Sequence, residues 1–337
     1  MTKNIVVILG DPRKSDGVIP GGRFTEDELE THRRLKSELE RLGDYSFSYL
    51  DDHDRLVEDL KSARESVHLA MNLCDNGYMN DPKQEAYIPR MLEDLGIPYT
   101  GAGAECMVLC YDKTNIRKVA GLAGISTSRG FVIDGKVNEG LLEYPLIVKP
   151  AQGDGGFGIT KDSVVKNREG LERAVEILRG IYSGKILVEE FLGGDEITLG
   201  MVGNSPNFTV FPPIKEDFSR LPEGLPKICG YESKWDFSSP YLILGGSLTA
   251  ELEESARQKI IVGSKKLFEI TQCRDYARFD WRLDSRGNPN ILEVNPNPGW
   301  CWDGHLAKGA SAAGISYGKM LEMIIQSAEE RLGLSNQ

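Results

Sequence analysis

The residues with the clearest capacity for chemistry lie between positions 276 and 299. Tyr276-Ala-Arg-Phe-Asp-Trp-Arg-Leu283 and Ile291-Leu-Glu-Val-Asn-Pro-Asn-Pro-Gly299 alternate at period two around Asp284-Ser-Arg-Gly-Asn-Pro289, a stretch of turn residues. They read as an antiparallel hairpin. A turn centred on Arg286-Gly287 sets Asp280 opposite Glu293 and Arg278 opposite Asn295, all on one face. Phe279, Trp281 and Leu283 take the other face with Leu292 and Val294. Two carboxylates opposed across a ladder repel by roughly 0.2–1 kcal/mol. A divalent cation between them turns that liability into a site. The hard oxygens of Asp280, Glu293 and Asn295 suit magnesium, which keeps waters and takes substrate phosphates as further ligands. The alternative is a solvated surface hairpin, against which stands the Asn-Pro-Asn-Pro-Gly that follows an apolar strand.

Two further stretches carry chemistry. Leu146-Ile-Val-Lys-Pro-Ala-Gln-Gly-Asp-Gly-Gly-Phe-Gly-Ile-Thr160 contains Gly-x-Gly-x-x-Gly at Gly153, Gly155 and Gly158. A dinucleotide site needs such glycines to open a helix. Here the residues after Gly158 read as a strand, so the loop is expected to be a lid whose backbone N–H groups, around Gly155, Gly156 and Phe157, close over phosphates. Lys149 ends the entering strand, placed to meet a phosphate. A plain glycine-rich hairpin with a surface lysine is the alternative. Leu187-Val-Glu-Glu-Phe-Leu-Gly-Gly-Asp-Glu196 is an apolar strand running into Glu189, Glu190, Phe191 and Leu192. Its backbone edge can meet an adenine, and Glu196 can hold ribose hydroxyls. An edge strand with solvent-facing glutamates reads equally well from this stretch alone.

These residues need elements to position them. Residues 5–9, 46–50 and 67–73 read as strands. They alternate with a helix capped by Thr25, whose leucine stripe ends at Gly43, and another over 84–95 ending at Gly96. That is a βαβ pattern with a mostly parallel sheet. A second stretch holds helices over 104–110 and 113–123 and strands at 131–133 and 146–149. A third begins near residue 186, with strands near 198–202 and 209–211, a polar loop over 215–241, a helix near 252–271, the hairpin, and a closing helix near 317–332.

At 337 residues the chain exceeds one ordinary core. A formal charge of −11 argues against a nucleic-acid surface, though lysines gathered in one cleft can still bind small anions. No apolar run reaches the ~18–20 residues of a membrane span, and the N-terminus lacks a signal pattern, so a cytoplasmic enzyme is expected. Six scattered cysteines, Cys106 and Cys110 four apart on one helix face, lack zinc spacing and read as buried free thiols.

Taken together the chain resembles the ATP-grasp superfamily, and within it the D-alanine–D-alanine ligase group, in order along nearly its whole length. Pro98-Tyr-Thr-Gly, Asp112-Lys113, Gly124-Ile-Ser-Thr-Ser, Val148-Lys-Pro, Glu189-Glu-Phe-Leu, Asp195-Glu196, Arg278-Phe-Asp280 and Glu293-Val-Asn-Pro-Asn-Pro-Gly299 carry the likeness. It implies an α/β (α+β) ATP-grasp fold. A Rossmann-like parallel-sheet domain over 1–100 would precede a central subdomain over 101–187 and a C-terminal one over 188–337. It implies that Lys113 and Lys149 contact ATP phosphates, and that Glu189 and the backbone through Leu192 bind adenine. Glu196 would bind ribose, and Asp280, Glu293 and Asn295 two magnesium ions, with manganese as a substitute. Arg278 and the N–H near Gly299 would stabilise the oxyanion on the acyl carbon. Lys234, in Tyr231-Glu-Ser-Lys-Trp235, matches a lysine of the loop that closes over the reacting groups. A small-molecule carboxylate and amine would be the substrates and a homodimer the assembly.

The departures bear on substrate. That group usually carries two serines where Gly155 and Gly156 stand, a tyrosine where Trp235 stands, and a glutamate in a motif that residues 10–22 lack. Glu26 is the nearest counterpart to that glutamate. After Gly299, small hydroxyl residues give way to Trp300-Cys-Trp-Asp-Gly-His305. Trp300 and Trp302 can equally be packing residues, and Asp303 and His305 a solvated pair. The expectation is therefore a carboxylate–amine ligase working through an acyl phosphate on substrates other than two D-alanines, such as another amino acid or a natural-product scaffold of the mycosporine type. A genuine cell-wall ligase, a kinase phosphorylating a hydroxyl, and a non-catalytic nucleotide-binding module are the rivals. The intact Lys149, Arg278, Asp280, Glu293 and Asn295 set opposes the last.

Overall fold

The first hundred residues alternate strand and helix, as their periodicity predicts. In the computed structural model, which describes residues 2–17, 21–133, 142–153, 155–236, 238–243 and 246–334, they form β1 (Lys3–Ile8), α1 (Glu26–Leu39), β2 (Tyr45–Leu50), α2 (Leu56–Ala63), β3 (Leu69–Asn72) and α3 (Tyr87–Leu95). β1 lies between β2 and β3, parallel to both. Ile5, Val6, Val7 and Ile8 are buried, as a central parallel strand requires. Thr25 and Glu28 close a capping box at the start of α1. The helix expected over 84–95 begins later, at Tyr87, after a single 3-10 turn at Pro82–Gln84. Gly96, at φ +64°, ends it in the left-handed conformation that glycine adopts most cheaply.

The next stretch contributes α4 (Ala104–Tyr111), α5 (Lys113–Leu122), β4 (Gly130–Ile133), β5 (Leu146–Pro150), β6 (Val164–Val165), α6 (Arg168–Ile181) and β7 (Ile186–Glu190). Its antiparallel sheet runs β4-β7-β5-β6. The glycine-rich segment joins β5 to β6, two strands as expected. The strand expected directly after Gly158 is, however, only Val164–Val165. A 3-10 turn at Lys161–Ser163 precedes it, because Thr160 and Ser163 satisfy each other's backbone N–H groups.

The remainder builds β8 (Glu196–Asn204), β9 (Asn207–Val210), β10 (Ile214–Glu216), α7 (Glu232–Trp235), β11 (Ser247–Thr249), α8 (Glu254–Ile270), β12 (Tyr276–Leu283), β13 (Pro289–Asn295), α9 (His305–Ala312) and α10 (Tyr317–Leu332). The sheet runs β11-β10-β8-β12-β13, with β9 paired to β8. Phe279, Trp281, Ile291 and Val294 pack against Ile260, Leu267 and Phe268 of α8. The fit is tight at Gly263, where a Cβ would come 2.7 Å from Trp281. Gly263→Ala is expected to destabilise the fold by about 1–2 kcal/mol, since overpacking outweighs the gain in helix propensity. Denaturant unfolding measures it, and a stabilised variant would show that the indole yields.

Cys74, Cys106, Cys110 and Cys273 are buried free thiols, while Cys229 and Cys301 are half-buried. The Cys106 sulfur lies 4.0 Å from that of Cys110 and 3.8 Å from that of Cys273, within the apolar core. No fourth metal-binding side chain joins them among the described residues.

The closing helix returns to the first sheet. Leu321, Ile324, Ile325 and Ala328 of α10 share a core with Ile5, Val7, Leu35, Leu39 and Leu69. Glu329 accepts from Lys3 Nζ and His68 Nε2, both at 2.7 Å, and from Tyr45 Oη at 3.0 Å. No helix among the described residues is long and apolar enough to cross a membrane.

Candidate active site

β12 and β13 pair in the register the alternation predicts, with Arg278 beside Asn295, Phe279 beside Val294 and Asp280 beside Glu293. Beyond Asp280 the register slips, and Trp281 pairs with Ile291. This bulge corrects one expectation. Leu292 leaves the apolar face and lines the cavity beside Glu293, because an extra residue re-aims the side chains around it.

Asp280 is the hub. It accepts from Thr198 Oγ1 (2.9 Å), Arg278 Nη2 (2.9 Å), Arg278 Nε (3.1 Å) and Asn295 Nδ2 (2.9 Å). Glu293 stands 3.5 Å from Lys113 Nζ and 4.0 Å from Arg278 Nη2. Burial pushes the Glu293 carboxyl up, but Lys113, Arg278 and Lys149 outweigh it and bring it down to about 2. Asp280 and Glu293 thus converge as hard oxygen donors suited to magnesium, and Asn295, whose Nδ2 now donates to both carboxylates, would offer its Oδ1 to a cation once the amide turns over.

Lys113 opens α5 behind its cap Asp112 and also donates to Gly153 O at 2.6 Å, joining the glycine loop to the hairpin. Lys149 and Arg117 both pair with the buried Glu189. Their charges hold that carboxyl below its ordinary value against the burial that raises it. Glu190 turns to Arg129. Arg282 ties the next segment together. Its Nε donates to Leu192 O (2.6 Å), its Nη1 to Glu196 (2.9 Å), its Nη2 to Lys227 O, and its guanidinium lies 4.7 Å over the Phe191 ring. Burial, aided by the charges of Asp280, Glu216 and Glu293, nonetheless raises the Glu196 carboxyl to about 7 in spite of Arg282.

Gly155, Gly156 and Phe157 line the same cavity. At Gly156 (φ +78°) a Cβ would meet the Gly230 carbonyl carbon at 2.9 Å. Tyr231 N–H donates to Ile159 O (2.9 Å), and Lys161 N–H to Glu232 (2.6 Å). The glycine loop therefore lies down on the segment that carries Lys234 and Trp235. Lys234 lines the cavity, and the Trp235 indole N–H is buried without a partner among the described residues. Gly299 faces Asp75, whose Oδ2 is 3.5 Å from where a Cβ would stand.

One expected residue is not brought there. Glu26 sits in the first turn of α1, its side chain 77% exposed and paired with Arg33. The α1 capping box points Glu28, not Glu26, back toward the backbone, so Glu26 faces solvent and does not join a network with Trp235. Residues 18–20 of the segment 10–22 lie outside the described residues. Of the two tryptophans, Trp300 is buried, donating to Leu73 O and packing on His32, while Trp302 is exposed beneath Arg34. His305 pairs with Glu216 of β10, not with Asp303.

Sequence reasoning missed Arg282, Glu216, Thr198 and Arg117. Arg282 continues the period-two face of Arg278 and Asp280 and was there to be read. Glu216 gave no local signal, because only the pairing of β10 with β8 brings it to the cavity.

The C-terminal stretch matches a family model described as the D-ala D-ala ligase C-terminus, over residues 133–326. The chain is 28% identical to a D-alanine–D-alanine ligase of Clostridium beijerinckii over 323 residues, spanning 93% of this chain and 97% of that one. It is 30% identical to the vancomycin B-type resistance protein VanB of Enterococcus faecalis over 250 residues, 74% and 70% of the two chains. A crystal structure of a D-alanine–D-alanine ligase from Bacillus anthracis complexed with ATP superposes with a TM-score of 0.71 at 22% identity, covering 98% of each chain. That likeness establishes the ATP-grasp fold.

Proposed function

Because the chain belongs to the D-alanine–D-alanine ligase family, ATP-dependent and ADP-forming ligases of a carboxylate to an amine, we propose that it activates a carboxylic acid as an acyl phosphate and passes the acyl group to an amine, with substrates other than two D-alanines. The observation that carries this reading is the convergence of Asp280, Glu293, Arg278, Lys113, Lys149 and Glu196 on one cavity.

The roles follow from chemistry. Lys113 and Lys149 face the nucleotide phosphates, the backbone through Leu192 meets the adenine, and Glu196 accepts from the ribose. Asp280, Glu293 and Asn295 would hold magnesium, which when bound would supply Lewis-acid chemistry and neutralise phosphate charge. The substrate carboxylate attacks the γ-phosphorus and ADP leaves. An amine then attacks the acyl phosphate, and the oxyanion that forms is stabilised by Arg278 and the backbone N–H near Gly299. The glycine loop, seated on the Lys234 segment, excludes the water that would hydrolyse the acyl phosphate. The substrate part of the proposal rests on Gly155, Gly156 and Trp235 and on the Trp300–His305 loop. The three-unit division at 1–100, 101–187 and 188–337 belongs to it too, supported by three sheets each drawn from one stretch save the end of β7. So does a homodimer, which sedimentation checks.

A carboxylate accepts from ribose hydroxyls best when ionised. The KM for ATP is therefore expected to fall severalfold as pH rises from about 6 to about 8, and a flat profile would remove Glu196 from the ribose. Stability runs the other way. The raised folded-state value means that proton binding by Glu196 stabilises the fold, fully below 4.5, and this is lost as pH climbs through about 7.

ATP-dependent phosphate release with magnesium, over D- and L-amino acids singly and in pairs with mass spectrometry of products, tests the function. Release with an amino acid or scaffold acid other than D-alanine supports it. A D-alanine dipeptide from D-alanine alone would make this a ligase of the kind its relatives are named for. A phosphorylated hydroxyl with no free phosphate would make it a kinase.

A further inference from the structure

We propose that His305 is the base that takes the proton shed by the attacking amine, with Glu216 as the residue that positions its ring; this rests on the ligase reading above. The amine must lose a proton as it bonds to the acyl carbon, and few groups in the cavity can receive one. Its lysines and arginines are cations. Apart from Glu216, which holds His305 itself, its carboxylates are engaged: Glu189 between Lys149 and Arg117, Glu190 on Arg129, Glu196 on Arg282, Asp280 on Arg278, Thr198 and Asn295, and Glu293 against Lys113. His305 is the one imidazole lining the cavity among the described residues, and a neutral imidazole carries one ring nitrogen free to accept a proton.

Its setting suits the task. His305 Nε2 donates to Glu216 Oε1, which fixes the tautomer and leaves the lone pair on Nδ1, a nitrogen with no protein partner among the described residues. Glu216 is itself held, accepting from Ser247 Oγ at 3.3 Å on the neighbouring strand. The His305 side chain is 26% exposed and that of Glu216 only 9%, so the ring reaches the open cavity from a buried anchor. Glu196 lies on β8, the strand paired with β10, and Lys234 lines the same cavity.

The step balances. The neutral amine attacks, the C–N bond forms, and the C–O bond to phosphate breaks with its electron pair leaving on phosphate. The nitrogen's extra proton passes to Nδ1 while Nε2–H stays on Glu216, whose charge stabilises the imidazolium. Release of that proton to solvent restores the base.

The test uses full-length His305→Asn and Glu216→Gln and separates the two half-reactions. Scrambling of oxygen-18 in the β,γ-bridge of ATP, with D-alanine and then each common D- and L-amino acid as donor, reads reversible acyl phosphate formation, the step that precedes attack by the amine. In His305→Asn, scrambling should stay within about twofold of wild type while ligation to an amino-acid acceptor falls about a hundredfold. Hydroxylamine, uncharged at neutral pH, needs little help and should still form hydroxamate at close to the wild-type rate. Glu216→Gln should show the same split, smaller at about tenfold. Ligation by His305→Asn within about threefold of wild type overturns the proposal. A parallel loss of scrambling and hydroxamate also overturns it, since it would place His305 on the nucleotide side. Absence of scrambling in the wild type with every acid would strike the ligase reading itself, a separate failure.

Discussion

Glu293→Gln lowers ATP turnover by about a thousandfold, several kcal/mol of lost charge stabilisation at the phosphates. The substitution keeps the shape of the side chain and removes its charge. In the structure that charge is held ionised by Lys113, Arg278 and Lys149. Losing it turns one anionic ligand into a neutral one and leaves the three cations compensated by Asp280 and Glu189 alone. Stability gives an independent readout. A carboxyl depressed to about 2 contributes stability above its ordinary value of 4.5, and that contribution fades as pH falls through 2. The melting temperatures of wild type and variant should therefore differ at neutral pH and converge in acid. Steady-state phosphate release and thermal scans make both comparisons. Turnover unchanged within about threefold would remove Glu293 from the metal site.

The second large effect is at Arg278. Arg278→Met is expected to cost about a hundredfold to a thousandfold in ligation, the magnitude for one oxyanion donor. Arg278 also forks onto Asp280, so two roles must be told apart. If it stabilises the oxyanion, the loss concentrates in the amine-dependent step and acyl phosphate formation survives. If it chiefly orients Asp280, both half-reactions fall together. Arg278→Lys should recover only part of the loss, because an ammonium cannot make the paired contact.

Much of this site was legible because it is local. Asp280 opposite Glu293 follows from alternation and a recognisable turn, and strand pairing leaves little freedom once the turn is set. Leu292 was misplaced because a bulge breaks that alternation without a residue type that announces it. Glu26 was misplaced for another reason. The Thr25 cap was legible, but which side of the first turn meets the cavity depends on how the helix packs, and residue 26 turns to solvent and pairs with Arg33. Glu216 and His305 are nearly ninety positions apart, and no spacing rule links them. Only the order β11-β10-β8-β12-β13, with α9 reaching the same cavity, makes them neighbours. Family likeness fixed the fold and the order of motifs, but not the residues in which this chain departs from its relatives.

The return of α10 to the first sheet has a consequence for how the chain is made. Strands β1 to β3 are all synthesised within the first quarter of the sequence, yet the face they present to Leu321, Ile324 and Ile325, covered early only by Leu35 and Leu39 of α1, is left partly bare until α10 emerges. At ~5–20 residues per second, that interval is on the order of twelve to fifty seconds on the ribosome. The sheet that is ready first is thus completed last. A nascent chain arrested before residue 317 should expose apolar surface to chaperones that the finished protein never shows.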